Sequence, residues 1–148
     1  MTQNILDYLI PEHRQCDEFL ALTETYIQNA EWDNAKESFI QFNNLTLLHF
    51  KREEEVLFVA LERSFGSPIR PVFVMTHEHQ QTRQLLNQIK NAIDSKNKSE
   101  AFALLDTCHL LIQQHNLKEE NNLYTLANQT LENQMDQIIN DMKMIKLN

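Results

Sequence analysis

The sequence predicts an all-α protein: an antiparallel, up-and-down four-helix bundle with an additional C-terminal helix. Three observations carry this. Apolar residues recur at steps of three and four along most of the chain, the spacing of one helix face. The 148 residues include a single glycine, which leaves no material for a glycine-rich phosphate loop and little for tight hairpins. The links between periodic stretches are short, as between antiparallel neighbours in a bundle. The whole chain reads as one domain, with the bundle from about Leu9 to Ala127 and the last helix from about Gln129 to Lys146.

The first helix carries Leu9, His13, Cys16, Leu20, Thr23 and Ile27 on one face. Pro11 suits its first turn, where the missing N–H costs nothing. The polar stretch Asn29 to Asn34 breaks the pattern, with Asp33 or Asn34 as N-cap. A second helix then runs to about Arg63, with Phe39, Phe42, Leu45, His49, Val56 and Ala60 facing inward. The segment Ser64-Phe65-Gly66-Ser67-Pro68-Ile69-Arg70-Pro71 holds the only glycine and two of the three prolines, and ends that helix. A third helix starts near Pro71 with the stripe Val72, Met75, His79, Thr82, Leu86 and Ile89. After a polar turn around Asp94 to Lys98, Ser99 is a candidate cap for a fourth helix carrying Leu104, Cys108, Leu111, His115, Glu119 and Asn122. Leu131, Met135, Ile138, Ile139 and Met142 mark the C-terminal helix, packed on the bundle or against a partner, for which a second copy of the chain is one candidate.

Charge narrows the function. A net charge of −8 disfavours a surface that reads phosphates, so neither nucleic acid nor anionic lipid is an expected partner. No segment approaches the roughly 20 consecutive apolar residues of a membrane span. The N-terminal residues Met1 to Asp7 lack the basic stretch and apolar run of an export signal, and Cys16 and Cys108 are too few for a disulfide framework. The expectation is a cytoplasmic protein with reduced thiols.

Each of the four helical stripes contains one histidine: His13, His49, His79 and His115. Two of these have a carboxylate one turn later on the same face, His49 with Glu53 and His115 with Glu119. A buried carboxylate without a partner costs several kcal/mol. A bound cation removes that cost, and the imidazoles supply its remaining ligands. The segment His49-Phe50-Lys51-Arg52-Glu53-Glu54-Glu55-Val56-Leu57-Phe58 is also echoed by His115-Asn116-Leu117-Lys118-Glu119-Glu120-Asn121-Asn122-Leu123-Tyr124. Both have Glu-Glu at +4 and +5, then leucine and an aromatic at +8 and +9. His13 has an acid at the same offset, Asp17, but lacks the rest of the pattern.

On these residues the chain resembles the hemerythrin HHE cation-binding family from about His13 to Tyr124. Glu12-His13-Arg14-Gln15-Cys16-Asp17-Glu18 is similar to the first-helix motif of bacterial members, and Thr76-His77-Glu78-His79 to the Glu-His of the third helix. The resemblance implies a non-haem centre of two iron ions bridged by an oxo or hydroxo group. Glu53 and Glu119 would bridge the metals, and His13, His49, His79 and His115 would cap them. Such a mixed nitrogen–oxygen set suits iron and tolerates manganese or zinc. With six-coordinate ions, roughly two positions would stay open for water or a small ligand.

Oxygen-carrying hemerythrins resemble a five-histidine pattern, with two third-helix histidines four residues apart. Here Met75 and Arg83 flank His79 at that offset, and His77 falls on another face. The four-His, two-Glu set is more similar to that of iron–sulfur cluster repair proteins, without their N-terminal Cys-Cys pair. The expected role is therefore to bind or sense O2, NO or peroxide at an open di-iron site. The alternatives are an enzyme reducing NO or peroxide or donating iron to damaged clusters, and an all-α interaction module with a structural metal. His77, His109, Glu54, Glu55 and Glu120 are expected at the surface, Cys16 and Cys108 in the core. Asp17 is expected in a helix salt bridge or hydrogen-bonded to a ligand, and Tyr124 and Phe58 close around the site.

Overall fold

The computed structural model describes residues 3–147; Met1 and Thr2, where the N-terminal segment read above begins, and Asn148 lie outside the described residues. All regular structure among the described residues is helical. Helix α1 spans Ile5–Gln28 and α2 spans Trp32–Arg52. A π-helical turn, Glu53–Leu57, joins α2 to α3, Phe58–Phe65. Helix α4 is Arg70–Asp94 and α5 is Lys98–Lys118. A second π-helical turn, Glu119–Leu123, leads into α6, Tyr124–Thr130. A 3-10 turn at Glu132–Gln134 then precedes α7, Met135–Met144.

Helix α1 begins earlier than Pro11 suggests, because Asn4 caps it. The Asn4 side chain accepts the Asp7 N–H at 2.8 Å and the Asp7 carboxylate accepts the Asn4 N–H at 3.5 Å, satisfying two donors that would otherwise be orphaned. Pro11 therefore lies inside the helix, on its exposed side. The three links share one geometry. At Ala30, Gly66 and Lys96 the backbone turns left-handed, with φ of 57°, 73° and 54°. The residue after each donates its N–H back across the turn, Glu31 to Tyr26, Ser67 to Glu62 and Asn97 to Ala92. These tight closures restart the next helix at once. So α2 begins at Trp32, placing Asp33 and Asn34 inside its first turn, and Asn97 rather than Ser99 caps α5 by accepting the Glu100 N–H at 3.2 Å.

Helix α1 packs along α2 and α5, and α4 packs along the same two helices. Two apolar layers result. One gathers Ile5, Leu9, Leu57, Leu61, Met75, Leu123 and Leu131 with Met135, Ile138, Ile139 and Met142 of α7. The other gathers Cys16, Leu20, Phe39, Phe42, Leu86, Ile89, Leu105, Cys108 and Ile112. The apolar face of α7 is thus spent on the chain's own core.

Two expected inner stripes slip by one residue. Past Glu53 the buried positions are Leu57, Phe58 and Leu61, while Val56 and Ala60 are only half-buried. Past Glu119 they are Leu123, Tyr124 and Ala127, and Asn122 is exposed. Each π turn explains its slip. It inserts one residue, with the Phe58 N–H reaching Glu53 O and the Tyr124 N–H reaching Glu119 O five residues back. Leu45, Leu104 and Leu111 also fall on the shoulder of their helices, beside buried Thr46, Leu105 and Ile112.

Candidate metal centre

Between the two apolar layers lies a polar cluster. Helix α1 supplies His13, α2 His49, the first π turn Glu53, α4 His79, α5 His115 and the second π turn Glu119. Each of the six is at most 5% exposed. The sequence-predicted site residues are therefore all brought together. They form two groups of four donors: His13, His49, Glu53 and Glu119, and Glu53, His79, His115 and Glu119. Within each group one donor atom per residue lies within 4.8 Å of the others, and both carboxylates belong to both groups.

The histidines present Nε2 inward. His13 Nε2 is 3.0 Å from His49 Nε2 and 3.1 Å from Glu119 Oε1. His79 Nε2 is 3.1 Å from Glu53 Oε1, and His115 Nε2 is 3.2 Å from Glu119 Oε1. These short separations are not all hydrogen bonds. Glu53 Oε1, His79 Nε2, His115 Nε2 and Glu119 Oε2 are buried and have no hydrogen-bond partner. Four orphaned polar atoms in one spot would cost several kcal/mol. A cation there satisfies all of them, so the donor set fits a metal.

Each imidazole is held from behind by a carboxylate. His13 Nδ1 donates to Glu120 at 2.7 Å, His49 Nδ1 to Glu12 at 2.8 Å, His79 Nδ1 to Glu54 at 2.7 Å and His115 Nδ1 to Glu78 at 2.8 Å. This places the proton on Nδ1 and leaves Nε2 as the donor atom, the arrangement metal-ligating histidines require. Arg52 binds Glu12, Arg83 grips Glu54 with both terminal nitrogens, and Lys118 holds Glu78 at 2.6 Å. Glu54 and Glu120 therefore correct the expectation of a solvated face, whereas Glu55 is exposed. The offset +5 from each inner histidine was visible in both repeated segments. What it lacked as a signal was the knowledge that a π turn follows. Asp17 contacts none of the histidine nitrogens; its carboxylate accepts from Gln113 at 3.0 Å.

The cluster is strongly polarised when no ion is bound. Burial works against a charge on His79, but Glu119, Glu53 and Glu54 outweigh it and push the imidazole up to about 10. Burial works against His115 too, and Glu119 and Glu78 push it up to about 9. His49 is raised well above its usual range against the same burial cost by Glu53, Glu119 and Glu12. For Glu119 burial alone would raise the carboxyl; contacts with His115, Glu53 and His13 hold it well below the usual range. Burial and the two inner carboxylates push the Tyr124 phenol up.

Phe50 stacks on His79 at 3.9 Å between ring centroids, and Phe58 also lies near-parallel to it at 5.7 Å. Beside the histidines a cavity of about 20 Å³ is lined by Cys16, Thr46, Phe50, Ile112 and Asn116. His77 and His109 are exposed, as expected. Cys16 and Cys108 are buried and unpaired, their thiols pushed up by burial, Cys108 to about 12.

The family model described as Hemerythrin HHE cation binding domain matches residues 4–127. No curated protein and no solved structure matches the chain.

Proposed function

Because the chain belongs to the hemerythrin HHE cation-binding family, we propose that it holds two iron ions in an antiparallel four-helix bundle and binds a small ligand, O2, NO or peroxide, beside them. The observation that supports this most is the pair of four-donor groups sharing Glu53 and Glu119, with four of their atoms orphaned. A shared pair of carboxylates is what two adjacent cations need to be held together at low net charge. When bound, the irons supply Lewis acidity and electrons to a diatomic ligand.

The chain's own residues do the rest. The four outer carboxylates hold Nδ1 of each ring outward and so turn each Nε2 toward the donors before any ion arrives. Phe50, Phe58 and Ile112 keep bulk water from the donors. The cavity lined by Cys16 and Thr46, about 20 Å³, leaves room for one water-sized molecule beside the donors and none for a large substrate. No helix among the described residues is long and apolar enough to cross a membrane.

The test is metal analysis of the purified protein with absorption spectra before and after adding oxygen, azide or NO. About two irons per chain, with a spectrum that responds to these ligands, is the expected result. A protein that binds no more than one ion, or two ions indifferent to all three ligands, overturns the reading.

A further inference from the structure

The two repeated segments place an aromatic ring at equivalent points, and only one of them carries an oxygen. Phe58 follows Glu53 by five residues and stacks on His79, with ring centroids 5.7 Å apart and planes at 19°. Tyr124 follows Glu119 by five residues and stacks on His13, with centroids 5.7 Å apart and planes at 23°. The two rings thus occupy matching places, one with a hydroxyl and one without.

That hydroxyl sits inside the donor cluster. Tyr124 is fully buried, and its Oη lies 2.5 Å from Glu53 Oε2, 3.0 Å from Glu119 Oε1, 3.1 Å from His13 Nε2 and 3.3 Å from His49 Nε2. A phenol has one proton to donate. Nδ1 of both histidines is turned outward to Glu120 and Glu12, so two Nε2 atoms and two carboxylate oxygens crowd this one phenol oxygen. A single phenol proton serves one of them. The distances have a simpler account. Ligands at right angles around an ion, bound at about 2.1 Å, stand about 3.0 Å from one another. Tyr124 Oη keeps close to that spacing from Glu119, His13 and His49 at once and lies nearer still to Glu53, the fourth member of the group.

Building on the function proposed above, we propose that Tyr124 Oη is a fifth protein donor to the cation held by His13, His49, Glu53 and Glu119. The two metal positions are then unequal. The His13–His49 position has five protein donors and the His79–His115 position four. On ligation the phenol releases its proton to water, and an oxygen–metal bond replaces the O–H···Glu53 hydrogen bond. A bound cation favours the anionic form of a ligand that burial would otherwise keep neutral. Nothing similar is open to the other half, where Phe58 has no donor atom.

Iron content, visible absorption and resonance Raman spectra of the ferric-loaded chain test this, with tyrosine supplied ring-deuterated in a parallel sample. The expected result is a phenolate-to-iron absorption band, with ring vibrations that shift on deuteration. Tyr124→Phe should lose both while keeping its iron, since phenylalanine already fills the matching place in the other half. Tyr8 and Tyr26 touch none of the six ligands, so they cannot substitute. Loaded wild-type protein without deuterium-sensitive ring modes overturns the assignment, whether or not the variant folds. So does a band that survives in Tyr124→Phe. A chain that takes up no iron overturns the proposed function along with it, whereas iron without the phenolate signature overturns this assignment alone.

Discussion

Glu12 and His49 meet across the α1–α2 interface: His49 Nδ1 donates to Glu12 Oε1 at 2.8 Å, and the second Glu12 oxygen holds the Arg52 guanidinium. Arg52 in turn donates from Nε to the Met142 carbonyl of α7 at 3.1 Å. A chain of polar contacts therefore runs from the C-terminal helix to a ligand of the candidate centre.

Glu12→Gln and Glu54→Gln should each weaken metal affinity by about 10–100-fold with the fold intact. The amide still reaches the ring nitrogen but no longer sharpens its basicity, and in the second case Arg83 loses its paired oxygens. Competition with a chelator of known affinity measures this. Unchanged affinity in both variants would show that these carboxylates serve the fold alone.

Glu53→Ala and Glu119→Ala should each lose metal far more severely than His77→Ala, because each carboxylate belongs to both donor groups while His77 is exposed. His115→Ala belongs to one group only and should cost one of the two ions. Iron per chain after gel filtration reads all four variants. Equal loss across them would contradict the geometry.

The convergence of the six candidate donors was legible in the sequence because periodicity works well inside a continuous α-helix. His13, His49, His79 and His115 all stand in stripes whose neighbours are buried. Legibility failed downstream of Glu53 and Glu119. Periodicity assumes a constant advance per residue, and a π turn violates it without any marker such as glycine or proline. Val56, Ala60 and Asn122 were placed inward on that assumption, and Leu57, Leu61 and Leu123 are the residues that turn inward. The ring of outer carboxylates was hidden for a related reason. Glu54 and Glu120 stand next to a candidate ligand in sequence, where a regular helix would point them away, and only the contact across helices shows what they hold.

Deleting the exposed residue Asn121 removes the extra position of the second π turn. The segment then closes as a regular α-helix, and Leu123, Tyr124 and Ala127 keep their inward face, because the π turn only offsets the extra residue. The deletion should stay within about 1 kcal/mol of the wild type. Replacing Asn121 by alanine keeps the register and should stay within about 0.5 kcal/mol of the wild type. Denaturant unfolding of the metal-free proteins compares the two, and a deletion that loses more than about 3 kcal/mol would show that the π turn does more than house one extra residue.

The metal-free protein should lose stability as pH rises from about 7 to 10. His79 and His115 titrate near 10 and 9 in the folded state, well above the ordinary imidazole value of about 6.5. A group whose folded pKa is raised contributes in full below its unfolded pKa and loses that contribution as pH climbs through the folded one. The loaded protein should behave in the opposite way at the acid end. Its histidines bind through unprotonated Nε2, so protons compete with the ions and metal is lost as pH falls. Loading at pH 7 should therefore release protons, because His79, His115 and His49 are charged before the ions arrive. Calorimetric melting across this pH range, with and without iron, separates the two trends. Titration calorimetry in buffers of different ionisation enthalpy counts the protons. A metal-free melting temperature that rises steadily to pH 10, or loading without proton release, would show that the imidazoles are already neutral in the empty site.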